Sequence, residues 1–147
     1  LNYNTDDKLF SNALLTLSTY STILPDVDVI YSNCLIADDK NHNNLVNIYK
    51  WKNANILKNL LEGCCVGPFP LLKKSSVIEA GMFNPEFTIS GDYEMWCRMK
   101  SMGKTFVKID EFLGVYYHNP KGVSTSLDSN RHTLHVEQDL RIRKMYS

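Results

Sequence analysis

Strand-like and helix-like stretches alternate along the whole of this chain, and that alternation most limits what it can fold into. From Ser11, the residues Leu14, Leu15, Leu17 and Tyr20, with Ile23 and Leu24 beyond, recur at helical spacing for about three turns. Pro25-Asp26 ends that pattern. Val27 to Tyr31 is a short β-branched strand pattern that continues through Cys34-Leu35-Ile36. Asp38 to Asn44 is a polar turn, and Leu45 to Trp51 reads as the returning strand of a hairpin with a wide loop. Ala54 to Leu61 is helical through Ile56, Leu57, Leu60 and Leu61, with Gly63 placed to end it. Gly67-Pro68-Phe69-Pro70 is rigid and non-helical, and Leu71-Leu72 follows as a short apolar pair. Ser75 to Gly81 predicts a short helix with a serine cap and a closing glycine. After a loop over Met82 to Ser90, Asp92 to Met102 is the clearest helix, closed by Gly103. Thr105–Ile109 and Leu113–Tyr117 predict two further strands. A Gly/Pro/Ser-rich loop at 119–126 leads to a polar helix from Ser129 to Met145. The class these elements predict is α/β, a mixed sheet flanked by helices.

The chain has 147 residues, enough for one ordinary domain. Sixteen Lys and Arg balance sixteen Asp and Glu, which argues against holding nucleic acid or an anionic membrane through bulk positive charge. Cys34, Cys64, Cys65 and Cys97 form no CxxC pair and read as buried thiols in a reducing compartment. The opening Leu-Asn-Tyr-Asn-Thr-Asp-Asp lacks the basic and apolar regions of a secretory leader. No apolar run approaches the ~20 residues of a membrane span. A cytoplasmic location is expected, with room for association at the membrane periphery.

Two acidic positions carry the chemistry the residues allow. In Asn4-Thr5-Asp6-Asp7, an extended backbone would project Asn4 and Asp6 the same way, with Asp7 pointing away unless the chain turns. A divalent ion shared with a nucleotide diphosphate needs only one or two protein carboxylates, so Asp6 alone suffices. Equally, Asp6-Asp7 could be only a turn whose charge favours the following helix. Asp92, in Ser90-Gly91-Asp92-Tyr93-Glu94, opens a helix and could accept a hydroxyl proton; it could equally be only a helix cap. Trp96 and Met99 fall on one helical face and read as core. His118, Lys121 and Ser124 lie on or before a loop able to fold over a site. GxxxxGK[ST], GxSxG, HExxH and GxGxxG motifs are all absent.

In order and spacing these segments resemble family 2 glycosyltransferases of the GT-A fold. The resemblance runs from Asn4-Thr5-Asp6-Asp7 through Pro25 to Ser32, Asp38-Asp39, Gly67 to Ser75 and Glu79 to Asn84. It is strongest over Gly91-Asp92-Tyr93-Glu94-Met95-Trp96-Cys97-Arg98, and Leu113 to His118 follows in register. It implies a partial GT-A (nucleotide-diphospho-sugar transferase) fold over 1–126, lacking its N-terminal Rossmann-like strands, with a C-terminal helix at 127–147 packing on it or extending from it. Asn4-Thr5-Asp6 matches the family's DxD-type motif, with Asn in place of the first Asp. Asp6 is then the metal ligand for Mn or Mg, Asp92 the catalytic base, and Asn4, Asp6 and His118 the donor-binding set. Gly91 stands where the family often has Glu, so any supporting acidic role is missing or falls to Glu94. The implied activity is inverting transfer of a sugar from a nucleotide-diphosphate donor to a glycan or lipid-linked acceptor hydroxyl. A sheet without its first strands would expose an edge and invite self-association. The alternatives are an inactive fragment serving as a carbohydrate- or partner-binding module, and an interaction domain in which Asp6 and Asp92 only cap helices.

Overall fold

The structure is a computed structural model that describes every residue except Tyr3, Ser124, Ser126 and Leu127. In chain order the elements are β1 (Lys8–Leu9), α1 (Ala13–Ile23), β2 (Val29–Ala37), β3 (Leu45–Tyr49), α2 (Leu57–Glu62), β4 (Leu71–Leu72), α3 (Lys74–Glu79), α4 (Gly91–Ser101), β5 (Phe106–Tyr117) and α5 (Ser129–Tyr146). Among the described residues, five strands form one mixed sheet in the order β1-β5-β2-β3, with β4 also paired to β2. Only β2 and β5 run parallel; the β1, β3 and β4 pairings are antiparallel. The fold is therefore α/β with a mixed sheet, as the alternation predicts.

β2 is the centre of the sheet, and its side chains explain the layers. Val29 and Tyr31 point into a core with Trp96, Met95, Met99, Phe106, Leu60 and Ile142, which come mainly from α2, α4 and α5. Ile30, one residue out of phase, joins Ala13 and Leu17 of α1 with Ile109 and Leu113 of β5 on the opposite face. A strand buried on both faces reads as a near-continuous apolar run, and β2 does so on either side of the buried pair Ser32-Asn33. Burying side chains such as Met95, Met99 and Leu60 contributes about 1.5–3 kcal/mol each. β3 is different: Leu45, Val46 and Ile48 are all more than half exposed on the outer strand, as are Leu14 and Leu15 on α1.

Three local expectations need correction. The two strands at 105–109 and 113–117 are one, β5. Its register against β2 moves from Ser32↔Ile109 to Asn33↔Phe112, so Asp110 and Glu111 bulge outward without ending the strand. Both are exposed and polar, which is why they read as a turn. Lys108 Nζ holds Asp110 at 2.6 Å. The helix at 74–79 has Lys73 and no side-chain bond at its cap; Ser76 instead donates to Asp28 Oδ1 at 2.5 Å. Finally, Asn4 to Asp7 is a turn and not extended backbone, and β1 follows it. The Asp7 N–H donates to the Asn4 carbonyl at 3.3 Å, closing that turn.

Two tyrosine hydroxyls fasten the irregular segments to the core. Tyr31 Oη donates to the Lys52 carbonyl at 2.6 Å and accepts the Ala54 N–H at 2.7 Å. Tyr93 Oη donates to the Leu60 carbonyl at 2.6 Å, tying α2 to α4. All four cysteines are free, and burial pushes the Cys34 and Cys97 thiols up to about 12, as inert core thiols require. Among the described residues no helix is long and apolar enough to cross a membrane.

Candidate functional site

The parallel pair β2–β5 ends at Ala37 and Tyr117, and a cleft of about 1060 Å³ opens beyond those carboxyl ends. Ligand sites of open α/β sheets favour that position. Asn4, Thr5 and Asp6, Ser90 to Asp92, His118 and Lys121, and His135 and Asp139 of α5 all line it. Asp6 and Asp92, from opposite halves of the chain, thus share one cleft with Asn4 and His118. Ser124 lies outside the described residues.

The acidic turn divides the labour between its two aspartates. Asp7 is buried, and its Oδ1 accepts the Tyr117 N–H at 2.9 Å, which anchors the turn to the end of β5. Burial pushes the Asp7 carboxyl up to about 6; that amide and Asn4 pull it back, and neighbouring Asp6 adds to the rise. Asp6 is left exposed in the cleft. Its carbonyl accepts from His42 Nε2 at 2.9 Å, so the β2–β3 hairpin tip also clasps the turn. The tip is shaped by Asp39, which accepts the Asn43 and Asn44 amides at 2.9 and 2.8 Å. Asn119 Nδ2 stands 3.5 Å from Asp6 Oδ2.

Asp92 stands in the first turn of α4 and is not its cap; Ser90 holds that position, without a side-chain capping bond. Asp92 Oδ1 accepts the Tyr93 N–H at 2.7 Å. Its surface is open to the cleft even though protein surrounds much of the side chain, as expected on the wall of a concavity. That crowding raises the Asp92 carboxyl above the usual aspartate range. Asp139 pushes the same way, while the Tyr93 and Asp92 amides and His135 oppose it. Gly91 has no packing reason to be glycine: an added Cβ would touch only Phe83, at 3.9 Å.

Glu94 does not supply the supporting acid. It is almost fully buried, with Oε2 at 2.8 Å from Arg98 Nη2 and Oε1 accepting from Tyr146 Oη at 2.5 Å. Burial alone would raise its carboxyl, but Arg98 and Tyr146 outweigh burial and hold it below the usual range. Arg98 also donates to the Ala80 and Met82 carbonyls, so this pair binds α4 to the turn after α3 and to the end of α5. Trp96 is core, edge-on to Phe106.

The acidic companions of Asp92 come from α5, which the sequence presents only as a polar helix. His135, Gln138 and Asp139 fall at helical i, i+3 and i+4 spacing, the one available signal that they share a face. Ser90 Oγ donates to Asp139 Oδ1 at 2.6 Å, and His135 Nε2 lies 3.7 Å from the same oxygen. Gln138 Oε1 accepts both the Ile89 and Ser90 N–H groups at 3.0 Å.

For a divalent ion, the donor set around Asp6 is its own carboxylate with the neighbouring amide of Asn4, since Asn119 turns Nδ2 toward Asp6 and its Oδ1 accepts the Lys121 N–H. Such hard oxygen donors suit Mg or Mn shared with a diphosphate. Among the described residues, no group of three or more His, Cys, Asp or Glu side chains could hold a metal on its own. A scan against protein-family models found no match for this chain, and a search of curated proteins found none.

Proposed function

We propose that the cleft performs inverting glycosyl transfer, moving a sugar from a nucleotide-diphosphate donor to an acceptor hydroxyl in glycan synthesis. The observation that carries this reading is the sharing of one cleft by Asp6 and Asp92, the two residues singled out by the resemblance to family 2 glycosyltransferases. Asn4, Asp6 and His118 face the donor diphosphate. A magnesium or manganese ion bound at Asp6 would supply positive charge against the departing diphosphate. Asp92 takes the proton of the acceptor hydroxyl as that oxygen bonds to the anomeric carbon and the bond to the nucleoside diphosphate breaks. The electron pair of the broken bond leaves on the diphosphate, and the anomeric configuration inverts. A base whose proton affinity is raised toward the working pH is better matched to this task than an ordinary aspartate, and such a base typically contributes about 10²–10⁴-fold in rate.

The test is Asp92→Asn. The variant should bind a nucleoside diphosphate with manganese as the wild type does, by calorimetry, and should lose transfer from a panel of sugar nucleotides. Transfer at wild-type rates by a folded Asp92→Asn protein would overturn the assignment.

A further inference from the structure

Two hollows meet at an aromatic pair. Tyr49 ends β3 and Trp51 follows it, with ring centroids 4.2 Å apart and planes inclined by 39°. Both line the cleft just described, and both also line a second hollow of about 410 Å³. That volume lies in the roughly 300–1,000 Å³ range of small-molecule sites. Cys64 borders both spaces as well, so the two adjoin across these three residues.

The pair is held in place before any ligand arrives. The Trp51 N–H donates to Asn33 Oδ1 at 3.2 Å, and Asn33 is itself buried in β2. Gly67 makes room for the indole: a Cβ there would stand 2.8 Å from both Trp51 Nε1 and the Ser32 carbonyl oxygen. Tyr49 nevertheless remains 44% exposed, a large ring facing water beside a cleft. Pre-organised aromatic surface of this kind binds with little ordering cost.

The polar groups beyond the rings narrow the chemistry. Asn47 and Asn59 carry neutral amides, Lys52 and Glu62 cancel each other at 2.5 Å, and Lys50 adds one ammonium donor. Amides and a self-neutralised ion pair can exchange hydrogen bonds with hydroxyls. Apolar C–H faces can rest on the rings, as amphipathic Tyr and Trp surfaces favour. A ligand with flat apolar faces and a rim of hydroxyls is a pyranose chain.

We propose that this groove binds the non-reacting end of an oligosaccharide across Tyr49 and Trp51, so that the acceptor is a growing glycan and not a single small alcohol. The acceptor role rests on the glycosyl-transfer reading; the binding of the oligosaccharide does not.

The test is a printed oligosaccharide array followed by calorimetry with the best-bound glycan and with its terminal monosaccharide, no donor being present. The oligosaccharide should bind at least about tenfold more tightly than the monosaccharide. Tyr49→Ala and Trp51→Ala should each weaken it by about tenfold, with Trp51→Phe intermediate because a ring remains. The groove assignment fails if no arrayed glycan binds, if the monosaccharide binds equally well, if both alanine variants bind normally while folded by circular dichroism, or if uridine diphosphate displaces the glycan. Glycan binding without transfer from any sugar nucleotide would leave the groove standing and sink the transferase reading. Transfer to a monosaccharide, with no preference for longer acceptors, would do the reverse.

Discussion

The side-chain oxygen of Gln138 accepts the N–H of Ser90 at 3.0 Å, and the same oxygen takes the N–H of Ile89. Ser90 is the residue from which α4 starts, so a glutamine near the end of the chain fixes where Asp92 enters the cleft. Gln138 Nε2 donates to Thr88 Oγ1 at 3.2 Å, completing the clasp. Replacing Gln138 by Leu would strand two backbone donors next to a buried serine. Each stranded donor costs about 1–3 kcal/mol, so urea denaturation should show a loss of about 2–4 kcal/mol. Gln138→Glu keeps the accepting oxygen and should lose much less. Equal stability of Gln138→Leu and the wild type would show that water replaces the clasp.

The Glu94–Arg98 pair makes a different prediction. Glu94 is 1% exposed in its side chain and Arg98 19%, so removing one partner leaves the other charged and shielded. Glu94→Gln should destabilise by about 3–5 kcal/mol. The pH sign follows from the lowered carboxyl: the folded state binds the Glu94 proton less tightly than the unfolded chain does. The stabilisation is therefore full above pH 4.5, the ordinary glutamate value, and is lost as pH falls through the lower folded value. Stability curves of wild type and Glu94→Gln measured from neutral to acid pH should converge on the acid side. Glu94 lies outside the cleft, so donor binding by folded Glu94→Gln should be unchanged.

Much of the fold is legible from where apolar residues concentrate. β2 and α4 announce themselves so, whereas α1 is a helix whose Leu14, Leu15 and Ile23 face outward and whose buried residues are Ala13 and Leu17. Gly81 and Gly103, at φ of +85° and +80°, stop their helices where left-handed backbone is needed. β5 is misread because a bulge and a turn both favour exposed Asp and Glu; only the partner strand tells them apart. In the site, Asp6 and Asp92 can be singled out by local pattern. Asp7's anchoring of the turn, and the approach of His135 and Asp139, depend on contacts across the chain that no local spacing encodes. Gly91 shows the converse limit: a motif position can look sterically demanding and yet face open space.

Asp6 separates binding from folding. It is exposed, and among the described residues its side chain makes one long contact, with Asn119, so Asp6→Ala should change stability by less than about 0.5 kcal/mol. The same change should abolish manganese-dependent binding of a nucleoside diphosphate. Asp7→Ala should do the opposite in part, loosening the turn by removing the acceptor of the Tyr117 amide. Calorimetric titration beside thermal melts of both variants checks the division. Manganese-dependent binding that survives in Asp6→Ala would remove Asp6 from the metal site.

Asp139 and His135 pull the proton affinity of Asp92 in opposite directions, and this gives a prediction with a definite sign. If Asp92 must be deprotonated to act, the transfer rate falls on the acid side as Asp92 gains its proton. Asp139→Asn removes a neighbouring negative charge while keeping an oxygen to accept from Ser90 Oγ, so the acid limb should move to lower pH. His135→Gln removes a group whose positive charge favours ionised Asp92, so the limb should move to higher pH. Both shifts should shrink as salt is raised, because Asp92 is open to solvent and its neighbours act through screened charge. The pH dependence of kcat/KM for the three proteins checks this. Limbs that coincide, or that move together in one direction, would mean that α5 positions Asp92 without tuning it.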